Sequence, residues 1–303
     1  MYTQLCRLTV TIAVLMTLTK PVWGQGPVVL GGDDLTDHGS ITNGVLQNGW
    51  KYIQLALVDI HSKVSRANDQ SVAALGSAPS TATRGDAGAG IAYASADAGL
   101  SVAHYDGVSE INAFFANLAS GATNPAIIWI AGTDAVNDLD VAEGSALAAH
   151  AADIARFVNE GGGLMSHGTG DITYGWLYAL FPELEDITSG ATGDLLLTPT
   201  GMNVLPSLTN AEINVGPWHN HFEGNLAQLK VLVRSGTVMD TLGDSAAVII
   251  GGDSVVFQDH PEECDQPCIP CLLQWLIIIL IVILLIVIWL TLRAILTVLR
   301  QGN

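Results

Sequence analysis

Cysteine and basic side chains are what the middle of this chain lacks. None of the four cysteines falls between Gln25 and Glu263, so a domain built there folds without internal disulfides. From Gln25 to Cys271 there are seven Lys or Arg residues against all 29 Asp and Glu, a net of −22. That balance argues against nucleic acid, which is bound through basic surface that displaces counterions. It equally argues against resting on anionic lipid. Two readings of the acid excess stay open: solubility in salty surroundings, and affinity for divalent cations. Walker and dinucleotide fingerprints are also missing, which speaks against nucleotide cofactors.

What is present begins with the chain's two apolar runs. Leu272–Leu292 is 21 residues without a charge, enough for a helix to cross the hydrocarbon core. Trp275 and Trp289 lie near its ends, and Arg293 and Arg300 follow with no acidic residue, the pattern of interfacial indoles and a cytoplasmic tail. At the other end Arg7 precedes the shorter run Leu8–Leu18, with Val22 and Gly24 before Gln25, as in a cleaved secretory signal. The expected organisation is a signal peptide at 1–24, an α/β ectodomain at 25–258, a stalk at 259–271, a transmembrane helix at 272–292 and a cytoplasmic tail at 293–303. The chain is thus expected at the cell membrane as a single-pass protein. Cys264, Cys268 and Cys271 sit in the stalk. Three thiols cannot all pair within one chain, and as metal ligands they need a fourth such as His260. An interchain disulfide, a lipid-modified thiol and a homo-oligomer linked by disulfide or by the helix all remain open.

Between the two runs, short apolar segments alternate with helical patterns. Pro27–Gly32, Val72–Gly76, Leu100–Tyr105, Ala126–Ala131 and Leu164–Met165 read as strands; Trp50–Val64, Ile91–Ala98, Val108–Ala119 and Asp140–Asn159 read as helices. Strand–helix units of this length predict βαβ crossovers and a flavodoxin-like doubly wound parallel sheet with helices on both faces. Tyr174–Phe181 suits a short helix, with Leu195–Leu197 and Ile213–Val215 as extended pieces. Leu229–Val233, Ala246–Ile250 and Val255–Gln258 suit late strands, with Gly251–Ser254 as a hairpin turn.

Phe157–Gly170, FVNEGGGLMSHGTG, reads as a helix end, a triple-glycine stop, a short buried strand and a loop bearing Ser166, His167 and Thr169. The segments AIIWIAG and IARFVNEGGGLMSHGTG resemble those of class I glutamine amidotransferase-like proteins, especially the ThuA-like branch, over about Val28 to Val233. The resemblance implies the fold, with a Gly-rich strand carrying a His-containing loop. Glutaminase members place a cysteine at the elbow after that strand; here Ser166 and His167 stand there, so the resemblance does not extend to glutaminase chemistry.

Four polar loops are expected to converge on the carboxyl edge of the sheet, where open α/β sheets bind ligands. They are Asp33–Ser40, Gly132–Asp134, Ser166–Thr169 and Trp218–His221. Carboxylates and imidazoles together suit a cation, with Asp33, Asp37, His38, His219 and His221 as candidate metal ligands. Asp34, Thr133, Asp134 and Thr169 are candidate ligand-binding residues, the last within Gly168–Gly170, whose backbone amides could face an anion. Equally, Asp33, Asp34 and Asp37 could cap a helix or hold a turn. As a catalytic pair, Ser166 would be a nucleophile beside His167, with His219 or His221 as base and Asp34 as its orienter. The elbow pattern G-x-S-x-G is met only at Gly168. His61, His104 and His150 suit ordinary packing or surface roles. Three functions follow: a membrane-anchored binding module for a small polar ligand or divalent cation, an extracellular hydrolase that is metal-assisted or uses Ser166, or a structural envelope protein.

Overall fold

The computed structural model describes residues 25–257, apart from 134–135, 169–170, 189–193 and 217, together with residues 289 and 293. The chain divides into two units, Met1–Asp259 and His260–Asn303. The expected signal, the stalk cysteines and the tail lie outside the described residues, as does the expected span apart from Trp289. Trp289 and Arg293 are helical, the guanidinium 5.1 Å from the indole ring. Among the described residues no helix is long and apolar enough to cross a membrane.

The first unit is mixed α/β around a central sheet. Five parallel strands form one side of it: β1 (Gly26–Gly31), β4 (Ser71–Leu75), β5 (Ser101–Tyr105), β6 (Ile127–Ile130) and β7 (Gly163–Ser166), in the order β5-β4-β6-β7-β1. The inner four are continuously apolar at their centres, as in VVL of β1 and IIWI of β6, because strands covered on both faces bury their side chains, whereas the edge strand β5 is partly exposed. The crossovers use α1 (Asn48–His61), α2 (Ala87–Asp97), α3 (Val108–Ser120) and the pair α4 (Val141–Ala149) and α5 (Ala151–Asn159). Asp86 caps α2 through the Ala89 amide at 2.8 Å, and Asp140 with Glu143 forms a capping box on α4. Each cap satisfies a backbone donor that the first helical turn leaves without a partner. Helix α1 packs on α2. Helix α4 packs on α3 and on α6 (Asp171–Leu180), which follows β7.

The single helix expected over Asp140–Asn159 is interrupted at His150. Its imidazole stacks on Phe115 at 4.3 Å and meets Asp153 and Asn112, and its backbone leaves helical values (φ −103, ψ 17). The glycine stop behaves as its sequence dictates. Gly161 takes φ +90, and its carbonyl accepts from Ser65, so a side chain here would meet both an unfavourable φ and the Ser65 hydroxyl.

Beyond β1 the sheet becomes antiparallel. β12 (Ser245–Val255) pairs with β1 along one edge and with β11 (Lys230–Met239) along the other, and β11 pairs with β9 (Leu195–Leu197). The expected turn at Gly251–Ser254 is therefore corrected: β12 runs through it, and the hairpin closes at Asp240–Asp244. Gly251 serves close approach, since a Cβ there would stand 1.9 Å from the Val28 carbonyl oxygen. Near the end of β1, β12 also pairs with β10 (Asn220–Gly224), which carries β8 (Leu184–Thr188) at its other edge. Two small helices, α7 (Pro199–Val204) and α8 (Asn210–Ile213), fill the connection. α8 replaces the extended piece expected at Ile213–Val215, because Thr209 and Glu212 form a capping box that starts a helical turn. A small hairpin, β2 (Gly39–Thr42) with β3 (Val45–Gln47), takes in the last two residues of the expected polar loop Asp33–Ser40 and continues beyond it.

Because β12 opposes β1, with Gly26 opposite Val255, the described chain enters and leaves at the amino edge of the parallel strands. The polar loops lie at the other edge.

Candidate functional site

The carboxyl ends of β1 and β7 lie side by side, with Leu30 opposite Ser166. The loops that follow them meet at once. His167 Nδ1 stands 2.6 Å from Asp33 Oδ1, and the Gly168 amide donates to the Asp33 carbonyl. Both side chains are wholly buried. Asp33 Oδ1 also accepts from the Leu35 amide at 3.3 Å, holding the turn after β1. The other polar atoms of the pair, Asp33 Oδ2 and His167 Nε2, have no hydrogen-bond partner, although buried polar atoms almost always find one.

Other buried polar atoms around the pair share that condition. Tyr52 from α1 packs edge-on to the His167 ring at 6.0 Å, and Trp129 from β6 lies 5.7 Å from it. The Tyr52 hydroxyl, the Trp129 indole nitrogen and Ser166 Oγ are buried without partners. Burial, followed by the Asp33 charge, pushes the Tyr52 phenol well above its ordinary value. Tyr174 from α6 behaves alike: burial, then Asp186 and Asp33, raise it, only partly offset by the neighbouring Ser166 hydroxyl. Both phenols are therefore held neutral. The Tyr174 hydroxyl donates to the Gly31 carbonyl, and Ser166 Oγ sits next to it without a well-formed hydrogen bond.

The fourth loop closes on the first. Asp33 bridges Trp218, and the amides of His219 and Asn220 donate to the Gly32 carbonyl. A Cβ at Gly32 would stand 2.1 Å from the Asn220 carbonyl oxygen, so only glycine allows this approach. Asp34 Oδ2 lies 3.1 Å from His38 Nε2 and 3.2 Å from His219 Nε2. Asp34 is buried, whereas His38 is 47% and His219 33% exposed, so this trio forms the rim. The Gly132 loop completes the set, its Cα hydrogens facing the His167 Cβ and the Gly168 amide.

The sequence-derived candidates are thus partly regrouped. Asp33 and His167 meet, as do Asp34, His38 and His219. His221 turns away to Glu223 (2.9 Å), which also accepts from Thr241 and so ties β10 to the β11–β12 turn. Asp37 lies half-buried on the same loop as His38, and Thr133 half-buried at the end of β6. Asp134 and Thr169 lie outside the described residues. The five proposed metal ligands do not form one cluster, and no group of three or more His, Cys, Asp or Glu among the described residues is arranged to hold a metal ion. Ser166 Oγ and His167 Nε2 both lack partners, so the two candidate catalytic groups are not hydrogen-bonded to each other. His104 bonds the Ser77 carbonyl from β5, and His150 is held by Asp153 and Asn112, both as packing residues.

Tyr52 and Trp129 were not singled out from sequence. Each falls on an apolar pattern that reads as core, and only the polar tip of an otherwise apolar ring hints at a second role.

Compared with known proteins, the chain matches no family model, no curated protein and no solved structure.

Proposed function

We propose that the first unit is a binding module that holds a small polar ligand at the carboxyl edge, between the ends of β1 and β7. One observation carries this: the Asp33–His167 pair is buried, yet its remaining polar atoms Oδ2 and Nε2 have no partner. A pair that served packing alone would be expected to satisfy both, since an orphaned buried polar atom costs about 1–3 kcal/mol. The amidotransferase-like reading draws support from the Gly-rich strand and His-containing loop beside β1. A doubly wound, flavodoxin-like reading draws support from the order β5-β4-β6-β7, in which the crossovers run outward in both directions. β1 then adds beyond β7 rather than within that block. Membrane anchoring, a secretory signal and an extracytoplasmic location rest on the two terminal apolar runs and the charges beside them.

The test is thermal unfolding of the full chain in detergent across a panel of small polar compounds, with calcium, zinc and manganese included. A concentration-dependent rise in Tm that disappears in Asp33→Asn is the expected result. A rise with a metal ion alone would move the reading to a cation site, and no rise with any compound would refute it.

A hydrolase is the second reading, favoured by one feature. An imidazole whose Nδ1 sits on a buried carboxylate is oriented as a general base is in acyl-transfer enzymes. Hydrolysis that persists in Ser166→Ala but not in His167→Gln would assign the base and dismiss the serine nucleophile.

A further inference from the structure

We infer that β5 is the contact strand of a homodimer: it pairs antiparallel with β5 of a second copy about a two-fold axis at Ala103, joining two sheets into one. β5 has β4 on one side and, among the described residues, no strand on the other. The Ser101 amide donates to the Gln70 carbonyl, and the Tyr105 carbonyl accepts from the Gly76 amide. Ser101, Ala103 and Tyr105 therefore turn their backbone groups toward β4, while Val102 and His104 turn theirs outward. The open stretch is closed at both ends. The Leu100 amide is taken by the Ser95 carbonyl, and the Asp106 amide by the Glu110 carboxylate at 3.1 Å. What is left is an N–H and a C=O on each of two residues, placed evenly about Ala103.

That pattern is its own complement. With Val102 opposite the second copy's His104, the two residues exchange a pair of hydrogen bonds, and the symmetry repeats the exchange on the other side. No outward N–H or C=O of either residue is then left over. The edge is also undefended. Natural sheets blunt their edges with charge, proline, bulges or brevity. β8, at the far end of the sheet, carries Glu185 and Asp186, and β9 has only three residues. β5 instead matches β4 residue for residue, with no bulge, proline, carboxylate or basic side chain. The stretch without Asp, Glu, Lys or Arg runs from Ala98 to Tyr105. Against a net charge of −22 over Gln25–Cys271, this lets a copy approach without facing like charge across the strands. Asp106 falls opposite Leu100 in this register, not opposite another carboxylate. Ser101 and Ala103 are exposed, so that side of the strand is open where the copies meet.

The register is tested by cross-linking. Ala103 lies opposite its own copy, a non-hydrogen-bonded pair with Cα atoms about 4.5 Å apart, within reach of a disulfide. Ser101 is exposed too, but it lies opposite Tyr105 and far from its own copy. The full chain in detergent, with Cys6, Cys264, Cys268 and Cys271 replaced by Ser, is oxidised with diamide as Ala103→Cys and as Ser101→Cys. The expected result is a disulfide-linked dimer from Ala103→Cys, at least tenfold more abundant than from Ser101→Cys. Adding Val102→Pro removes an outward amide hydrogen without touching the β4 ladder, and should cut the Ala103→Cys dimer at least tenfold. Equal cross-linking at the two positions, or an Ala103→Cys dimer indifferent to Val102→Pro, overturns the inference. So does the absence of dimer at both positions, which is the result if a different protein's strand takes this edge. Should the Val102→Pro variant not fold, the comparison of the two cysteine positions still decides the outcome.

Discussion

Asp33 and His167 are 134 residues apart in sequence and 2.6 Å apart in space, wholly buried where β1 and β7 end together. The pair joins the first strand's loop to the fifth parallel strand's loop and sets the geometry of everything around it.

Removing one member should therefore be costly. His167→Leu leaves Asp33 buried without its partner and is expected to destabilise the fold by about 3–5 kcal/mol. Asp33→Asn together with His167→Leu should cost less than the two single changes summed, because no buried charge remains. Urea unfolding of the single and double variants gives the coupling; additive losses would mean that the pair is not energetically linked.

Gly32 separates the site's assembly from its chemistry. A Cβ there would stand 2.1 Å from the Asn220 carbonyl oxygen, so Gly32→Ala should force the Trp218–His221 loop away from β1 at a cost of about 1–3 kcal/mol. The half-buried His219 would then lose Asp34, which the chemical shifts of its imidazole would register by NMR. Unchanged His219 ring resonances would contradict the close approach.

Acid stability should depend on Glu223. Its carboxyl is held below the ordinary range first by the Thr241 hydroxyl, then by His221, against the opposing effect of burial. A carboxylate with a depressed folded-state value adds stability above its unfolded value, near 4.3, and that stability is lost as pH falls through the lower folded value. Glu223→Gln should flatten the unfolding free energy in the window just below pH ~4.3. An unaltered acid limb in the variant would show that Glu223 does not contribute there.

Asp140 caps α4 and accepts from the Glu143 amide at 2.8 Å, while Glu143 returns a bond to the Asp140 amide. Asp140→Ala should cost about 1 kcal/mol, a fall in Tm of roughly 2–4 °C for a unit of this size. A calorimetric scan reads it directly; a fall below a degree would mean that the helix is fixed by packing alone.

How much of this was legible in the residues follows from which forces act locally. The parallel strands announce themselves because burial on both faces demands runs such as AIIWIA. The edge where the loops gather follows from the alternation of strand and helix. The antiparallel half was less legible: Asn220–Gly224 has one large apolar residue, Phe222, among polar neighbours, and its start reaches the end of β1 only through Gly32. Gly251 and Gly252 look like a turn to any local reading, and only the proximity of Val28 explains why β12 passes through. Thr209 and Glu212 carry the capping-box spacing, while Ile213 and Val215 just after them read as an extended piece. The site split in the same way. His38 and His219, expected in one cluster, meet on Asp34, the carboxylate that the sequence pairs with His219 or His221. That Asp33 would choose His167 and His221 would choose Glu223 depends on which side of each loop faces inward, which no spacing rule records.

The most direct test of the account reads His167 itself. With ¹⁵N-labelled histidine in the full chain, the His167 Nε2 resonance is followed during titration with the compound of the polar panel that raises Tm. A saturable Nε2 shift with the same midpoint as the thermal stabilisation is expected, together with its disappearance in Asp33→Asn. Stabilisation with an unmoved His167 Nε2 would place the ligand elsewhere and contradict the central claim.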